Sequence, residues 1–291
     1  MVDGFFPGFA LRDVQTSGAT IRCRIGGEGP PLLLLHGHPQ THIMWRRIAP
    51  RLATRFTLVC ADLRGYGDSS KPPTTPDHAP YSKRAMAQDM AEVMSALGHD
   101  RFFVGSHDRG ARVGHRLALD HKERVIKLAT LDIAPTREMY RDTTDAFARA
   151  YWHWFFLILP APFPENMIGA DPDFYWKERR ASDLKLFEPD ALAEYLRCFR
   201  DPATIHAACE DYRAAATIDI AHDDADGDRK LACPLLALWG ANGAVGRCFD
   251  VLKLWRERAS DVRGRSLPGG HYLAEEVPEM VADEFERFFT L

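Results

Sequence analysis

Short apolar runs alternate with amphipathic patterns of helical period over the first 134 residues and again after residue 228. The apolar runs are typical of strands buried on both faces, and the amphipathic stretches between them are typical of covering helices. The predicted strands are 31–35, 56–60, 101–105, 125–131, 234–239 and 262–267, after two antiparallel strands within 9–25. The predicted helices are 44–53, 82–97, 111–119, 248–258 and 278–289. This alternation predicts an α/β protein with a mainly parallel sheet.

The pattern changes between residues 135 and 228, where we find no strong strand and a rise in aromatic content around 151–156. Helical periodicity predicts helices at 143–159, 173–181, 191–199 and 204–215, followed by a charged linker at 222–228. We interpret residues 135–228 as a helical cap inserted into a sheet domain that is formed by residues 1–134 and 229–291.

The turn that joins the predicted strand 101–105 to its helix carries the pattern Ser106-x-Asp108-x-Gly110. Small residues two positions on either side of a central residue are the spacing of a nucleophile elbow, a strained turn that lifts one side chain above the sheet. Because the raised residue is an aspartate, the pattern favours alkyl transfer to a carboxylate over acyl transfer to a serine. The alternative is that Asp108 only caps the helix N-terminus.

Two further residues at strand ends complete a predicted catalytic group, because reactive side chains gather at the carboxyl ends of parallel strands. His271 follows the last strand in a glycine-flanked loop and would act as the base that hydrolyses an aspartyl ester; otherwise it is a surface histidine. The base needs an acid to orient it. The loop 241–247 has no carboxylate, so we predict Asp132 for that role, and a helix-capping role is the alternative.

Backbone groups of the elbow and of the loop 36–38 would polarise the ester carbonyl. The N–H of Arg109 is one predicted donor of this oxyanion hole, and the N–H of His38 is the other. His36, His38 and His42 also suggest a metal site, but a strand-end loop converges such side chains poorly. We therefore predict no metal.

Arg109 and Arg112 lie one turn apart at the start of the helix that follows the elbow. Buried guanidinium groups are costly unless an anion pairs with them, and arginine binds carboxylates in a bidentate manner. A small carboxylate substrate held there would present its α-carbon to Asp108. The alternative is that structural carboxylates such as Asp132 or Glu123 pair with both arginines.

Three residues of the predicted cap offer hydrogen-bond donors to a leaving group. His153 and Trp154 supply two ring N–H groups, and Tyr212 supplies an O–H. A leaving halide is stabilised by such donors in a dry pocket. Aromatic residues in helices are also common in cores, so their spacing alone leaves a structural role open.

Composition excludes several classes of function. The 291-residue chain has a formal net charge of −4 and no basic cluster, which argues against nucleic-acid binding. Its six cysteines have no C-x-x-C spacing and indicate reduced thiols. We find no signal peptide and no apolar run near the roughly 20 residues of a membrane helix. We therefore expect a cytoplasmic protein that does not bind a membrane.

Taken together, these motifs resemble the haloacetate dehalogenases of the α/β-hydrolase fold, in particular the fluoroacetate dehalogenases. The resemblance runs nearly end to end and is carried by His36-Gly37-x-Pro39-Gln40, 62–69, His107-Asp108-Arg109-Gly110, Leu131-Asp132-Ile133, 151–154, Asp171-Pro172-Asp173, Asp211-Tyr212-Arg213 and Gly269-Gly270-His271. It implies an Asp108 nucleophile with the base His271 and the acid Asp132, without a cofactor. It also implies carboxylate binding by Arg109 and Arg112, halide binding by His153, Trp154 and Tyr212, and a homodimer.

Two positions depart from that family pattern. His38 stands where relatives usually carry phenylalanine, and the stretch 176–184, where relatives tend to carry a lid tryptophan, is shortened. We therefore do not assign Trp176 to the position of the relatives' lid tryptophan. These departures leave the pocket size and the preferred halide open.

The resulting hypothesis is a hydrolase that converts a 2-haloacetate, fluoroacetate or chloroacetate, to glycolate and halide through an ester at Asp108. An epoxide hydrolase would use the same nucleophile, but a neutral epoxide gives Arg109 and Arg112 no partner. A noncatalytic receptor for small acids would not require Asp108, Asp132 and His271 together.

Overall fold

Eight strands form one sheet in the computed structural model, which describes residues 2–178 and 184–290. The strands are β1 Ala10–Gln15, β2 Thr20–Gly26, β3 Pro31–Leu35, β4 Thr57–Ala61, β5 Phe102–His107, β6 Val125–Leu131, β7 Leu235–Gly240 and β8 Val262–Leu267. Their order across the sheet is β1-β2-β4-β3-β5-β6-β7-β8. Only β2 pairs antiparallel with its neighbours β1 and β4, so the predicted mainly parallel sheet is confirmed.

Helices cover the sheet in the order that the sequence predicts. Those before β6 and after β7 are α1 Ala49–Leu52, α2 Lys83–Ala96, α3 Asp108–Asp120, α12 Ala244–Cys248, α13 Val251–Arg258, α14 Leu273–Glu276 and α15 Pro278–Phe289. Between β6 and β7 the described residues form α4 Thr136–Arg141, α5 Asp145–Ala150, α6 Trp152–Leu157, α7 Phe163–Ala170, α8 Pro172–Glu178, α9 Pro189–Phe199, α10 Pro202–Ala216 and α11 Ile218–Asp226. One-turn 3-10 helices are Val2–Phe5, His42–Trp45, Ala79–Tyr81 and Leu184–Leu186.

Some predicted helices are interrupted. The predicted helix 44–53 is a 3-10 turn, His42–Trp45, followed by α1, in whose first turn Pro50 lies. Proline favours the first turn of a helix and lacks the N–H that a continuous helix needs, so a new helix starts there. The predicted helix 143–159 is broken at Tyr151 into α5 and α6.

The predicted charged linker at 222–228 is wrong, because most of this segment lies in α11. Acidic residues on one short helix repel each other. Here Arg116 of α3 bonds both Asp223 and Asp226 at 2.6 Å, and this external positive charge offsets the repulsion. Helix α7 was not predicted, and residues 179–181 of the predicted helix 173–181 lie outside the described residues.

The register of the parallel strands brings their carboxyl ends to one edge of the sheet. Leu35 of β3 lies opposite Ala61 of β4 and Ser106 of β5, and Leu131 of β6 lies opposite His107 and Leu238. The residues that follow these strand ends, among them His36, Asp62, Asp108 and Asp132, therefore lie along one edge.

The sheet gains its stability from strands that are buried on both faces. The four leucines of β3 have no exposed surface, and burial of each contributes roughly 1.5–3 kcal/mol. This rigid apolar layer holds the edge residues in place. Within the described part of the chain, no helix combines the length and the apolar character required to cross a membrane.

Candidate active site

The turn from β5 into α3 holds Asp108 in a left-handed backbone conformation, with a φ of 45°. This conformation is strained for a residue with a Cβ and persists only where the surrounding structure enforces it. A Cβ on Gly110 would overlap the carbonyl oxygen of His36, and a Cβ on Gly37 would overlap the Asp108 side chain. The turn therefore depends on glycine where the backbone of β3 approaches it.

The Asp108 carboxylate is buried and already accepts a hydrogen bond from the loop that follows β3. The backbone N–H of His38 donates to its Oδ2 at 3.0 Å. Burial raises the pKa of Asp108, but the positive charges around it, led by that of His271, outweigh burial and hold the pKa well below its ordinary value. Asp108 is therefore ionised at neutral pH in a site that excludes water.

His271 pairs with the buried Asp132, and the His271 side chain itself is partly exposed. The Nδ1 of His271 lies 2.7 Å from Oδ2 of Asp132, whose other oxygen accepts the backbone N–H of Gly240 at 3.0 Å. An ionised carboxylate only accepts, so Nδ1 carries the proton and Nε2 is left to take one from another group. The Nε2 of His107, beside Asp108, bonds the carbonyl of His271 at 2.8 Å and ties the two loops together.

Arg109 is paired with a carboxylate that sequence reasoning did not anticipate. Its Nε and one Nη bond Asp211 of α10 at 2.9 and 2.7 Å. The alternative of a structural carboxylate partner therefore holds for Arg109, but the partner is neither Asp132, which bonds His271, nor Glu123, whose side chain is 88% exposed. The other nitrogen, Nη1 of Arg109, is buried and has no hydrogen-bond partner within residues 2–178 and 184–290. Arg109 can therefore offer an anion only this one edge.

Arg112 is buried without a carboxylate. Its Nη1 donates to Thr136 Oγ1 at 2.9 Å and its Nη2 contacts the Met139 sulfur, while no described residue accepts a hydrogen bond from Nε. Among residues 2–178 and 184–290, no acidic side chain forms an ion pair with it. Burial, and then repulsion from Arg109, lower the pKa of Arg112. A buried guanidinium without an ion pair is costly, so an anion at this position would be stabilised.

The three predicted donors of the segment 135–228 lie together against the two arginines. The Tyr212 ring faces Arg109 with its centroid 4.1 Å from Cζ, and the Trp154 ring faces Arg112 at 4.7 Å. The rings of His153 and Tyr212 have centroids 5.9 Å apart. The indole N–H of Trp154 is buried and has no hydrogen-bond partner in the part of the chain that the structure describes. A leaving group can therefore meet ring donors on the side opposite the sheet.

Sequence reasoning missed three polar residues at this site. Asp211 carries the ion pair with Arg109, Tyr151 has its O–H 3.4 Å from Nδ1 of His271, and Tyr140 has a buried O–H without a hydrogen-bond partner. Asp211 directly precedes the predicted donor Tyr212, and Tyr151 lies two residues before the predicted donor His153. Both stand in motifs that carry the family resemblance. Tyr140 lies in a short helix that has no sequence signal.

The two positions that depart from the family pattern both lie in aromatic surroundings. The His38 ring contacts Tyr212 and Phe199, with centroids 5.3 and 6.0 Å apart. Trp176 is buried and stacks on Tyr195 at 6.2 Å. Residues 179–183 of the shortened stretch lie outside the described residues.

The histidines of the loop after β3 have separate partners. The Nδ1 of His36 donates to the Gly37 carbonyl at 2.9 Å and its Nε2 accepts the Leu63 N–H, while Nδ1 of His42 bonds Asp62 at 2.8 Å. These bonds explain the burial of His36 and His42 through local structure.

Comparison with known proteins places this geometry among related chains. A sequence model of the alpha/beta hydrolase fold matches residues 30–278. The chain is 48% identical to a fluoroacetate dehalogenase from Burkholderia sp, over 98% of this chain and 95% of that protein. It is 33% identical to a soluble epoxide hydrolase from Corynebacterium sp. strain C12, over 91% of each. A crystal structure of an alpha/beta hydrolase from Nostoc sp PCC 7120 is 58% identical, with a TM-score of 0.96 over 98% of this chain and 99% of that one.

Whether the Arg112 charge is paired within the fold can be tested without any substrate. We expect Arg112→Met to leave the free energy of unfolding unchanged or to raise it, because the substitution removes a buried charge that forms no ion pair with any described residue. The matched control is Arg116→Met on the same helix. It should destabilise the fold by about 3–5 kcal/mol, because the buried Asp223 would lose its partner. Equal losses in chemical denaturation would show that Arg112 is paired within the fold.

Proposed function

Because this chain belongs to the alpha/beta hydrolase family, we propose that it is a hydrolytic haloacetate dehalogenase. It converts a 2-haloacetate to glycolate and halide through an ester formed at Asp108. The identity of 48% to the Burkholderia fluoroacetate dehalogenase supports this substrate class.

The observation that carries the proposal is the buried guanidinium of Arg112 without a carboxylate. A substrate carboxylate supplies the missing negative charge, and the unpartnered Nε of Arg112 and Nη1 of Arg109 supply its donors. Both arginines therefore bind the substrate carboxylate, since Asp211 already occupies the bidentate edge of Arg109. Such charge-assisted bonds are strong in a water-excluded pocket.

In the first step the ionised Asp108 attacks the α-carbon from the side opposite the halogen. A carbon–oxygen bond forms, the carbon–halogen bond breaks, and the halide leaves with the bonding electrons. The ring donors of His153, Trp154 and Tyr212 stabilise the charge that develops on the halide. Fluoride needs this help most, because it is the poorest leaving group of the halides.

In the second step His271 takes a proton from water, and the resulting hydroxide attacks the ester carbonyl of Asp108. Asp132 stabilises the imidazolium that forms. The backbone N–H groups of His38 and Arg109 stabilise the oxyanion, in keeping with the bond that His38 already donates to Asp108. Glycolate leaves with the oxygen that Asp108 contributed, and His271 returns its proton.

Epoxide hydrolysis is the second candidate, and the Corynebacterium relative at 33% identity favours it. The same aspartate would open an epoxide while the ring donors protonate its oxygen. A neutral epoxide, however, leaves the charge of Arg112 unbalanced. A noncatalytic receptor for small acids would use Arg112 but not the pair of His271 and Asp132.

Product analysis tests the function directly. We expect the protein to release halide and glycolate from fluoroacetate or chloroacetate, and Asp108→Asn to release neither. Diol formation from a styrene-type epoxide without halide release would contradict the proposal. Binding of haloacetate without turnover would indicate the receptor.

Replacing the donor Tyr212 should slow the turnover of fluoroacetate and of chloroacetate to different extents. Tyr212→Phe should slow fluoroacetate turnover by about 100-fold, the order seen when one oxyanion-hole donor is lost, and chloroacetate turnover by less. The matched control is Tyr195→Phe, whose O–H bonds Glu275 instead, and it should leave the ratio of the two rates unchanged. Equal slowing of both substrates by Tyr212→Phe would rule out a halide role.

A further inference from the structure

Asp211 is a buried carboxylate of α10 that is bonded by three groups from the other side of the site. Arg109 of α3 donates two side-chain bonds to its carboxylate and a third bond, at 2.8 Å, to its carbonyl. The Tyr66 O–H donates to Oδ2 at 2.6 Å, and the Lys83 ammonium contacts Oδ1. We infer that Asp211 is a positioning residue that turns the one unpartnered nitrogen of Arg109 toward the substrate carboxylate. This inference rests on the proposed function.

The geometry leaves Arg109 little freedom. The ion pair uses Nε and Nη2, so the plane of the guanidinium is fixed and Nη1 is the only nitrogen left for a ligand. Stacking on the Tyr212 ring, 4.1 Å from Cζ, closes one face of that plane. A rigid fork of this kind loses little entropy when a carboxylate binds.

The charges explain why a full carboxylate is needed. Two buried cations, Arg109 and Lys83, meet Asp211, and burial is outweighed by their charges, so the pKa of Asp211 lies well below its ordinary value. An asparagine has one acceptor oxygen where Asp211 uses two, and its amide group would face a donor. Arg109 would then lose part of its anchor and rotate.

Asp211 also connects the residues proposed to bind the two ends of the substrate, its carboxylate and its halogen. The residue that follows it is Tyr212, a proposed halide donor, and both lie on the buried face of α10. The bonds from Arg109, Tyr66 and Lys83 thus fix α10 against the elbow helix. The Asp211 side chain therefore helps to set the distance between Arg109 and Tyr212.

The test compares two buried aspartates that pair with arginines of the same helix. Asp211→Asn is measured beside Asp223→Asn, whose aspartate bonds Arg116 at 2.6 Å. Titration calorimetry with acetate measures the affinity of the site for a carboxylate without any turnover. We expect Asp211→Asn to weaken acetate binding, and to raise KM for chloroacetate, by about 10- to 100-fold, and Asp223→Asn to change both by less than about 3-fold. Thermal unfolding of both variants checks that each is folded.

The outcomes separate the inference from the proposed function. Wild-type protein that binds acetate but releases no halide would overturn the function, while the acetate comparison still decides the role of Asp211. Equal acetate affinity in wild type and Asp211→Asn, or no acetate binding by either, would overturn the inference. If Asp211→Asn does not fold, the double variant Lys83→Met with Asp211→Asn removes one positive and one negative charge together. It should fold and still bind acetate weakly, and wild-type affinity in that variant would overturn the inference.

Discussion

The balance of buried charge is the constraint on which this site depends. Arg109, Arg112 and Asp108 of α3 and Asp211 of α10 are all buried, and an unmatched charge is costly there. Asp211 balances Arg109, but no described side chain forms an ion pair with Arg112. Asp108 acts on Arg112 only through attraction at longer range, so Arg112 is left able to bind one anion. A carboxylate that carries a leaving group on its α-carbon fits that need.

The strained elbow depends on the apolar sheet beneath it. Asp108 and Asp132 both have positive φ, which fits only because β3, β5 and β6 are fixed in register at their carboxyl ends. The strands hold these two carboxylates, and the loops bring His38 and His271 to them. Chemistry is therefore concentrated at one edge, while α6 and α10 supply donors from the other side.

The sequence pattern predicted the strands of the sheet well and the helices between β6 and β7 less well. The predicted bounds of β3 and β6 agree with the structure, because largely apolar runs have few alternatives, and those of β8 agree although its sequence is mostly polar. Helix α11 was missed because its acidic residues read as a linker, and Arg116, which compensates them, lies about 110 residues away. For the same reason sequence could single out Arg109 but not Asp211, since an ion pair between distant segments leaves no local pattern.

The most direct test of the account is the fate of one oxygen atom. In a single turnover of chloroacetate in ¹⁸O-labelled water, with enzyme in excess, the ester route predicts unlabelled glycolate and ¹⁸O in the peptide that contains Asp108. The label enters the enzyme because water attacks the Asp108 carbonyl rather than the substrate carbon. Labelled glycolate with an unlabelled Asp108 peptide would contradict an ester at Asp108 and with it the central claim.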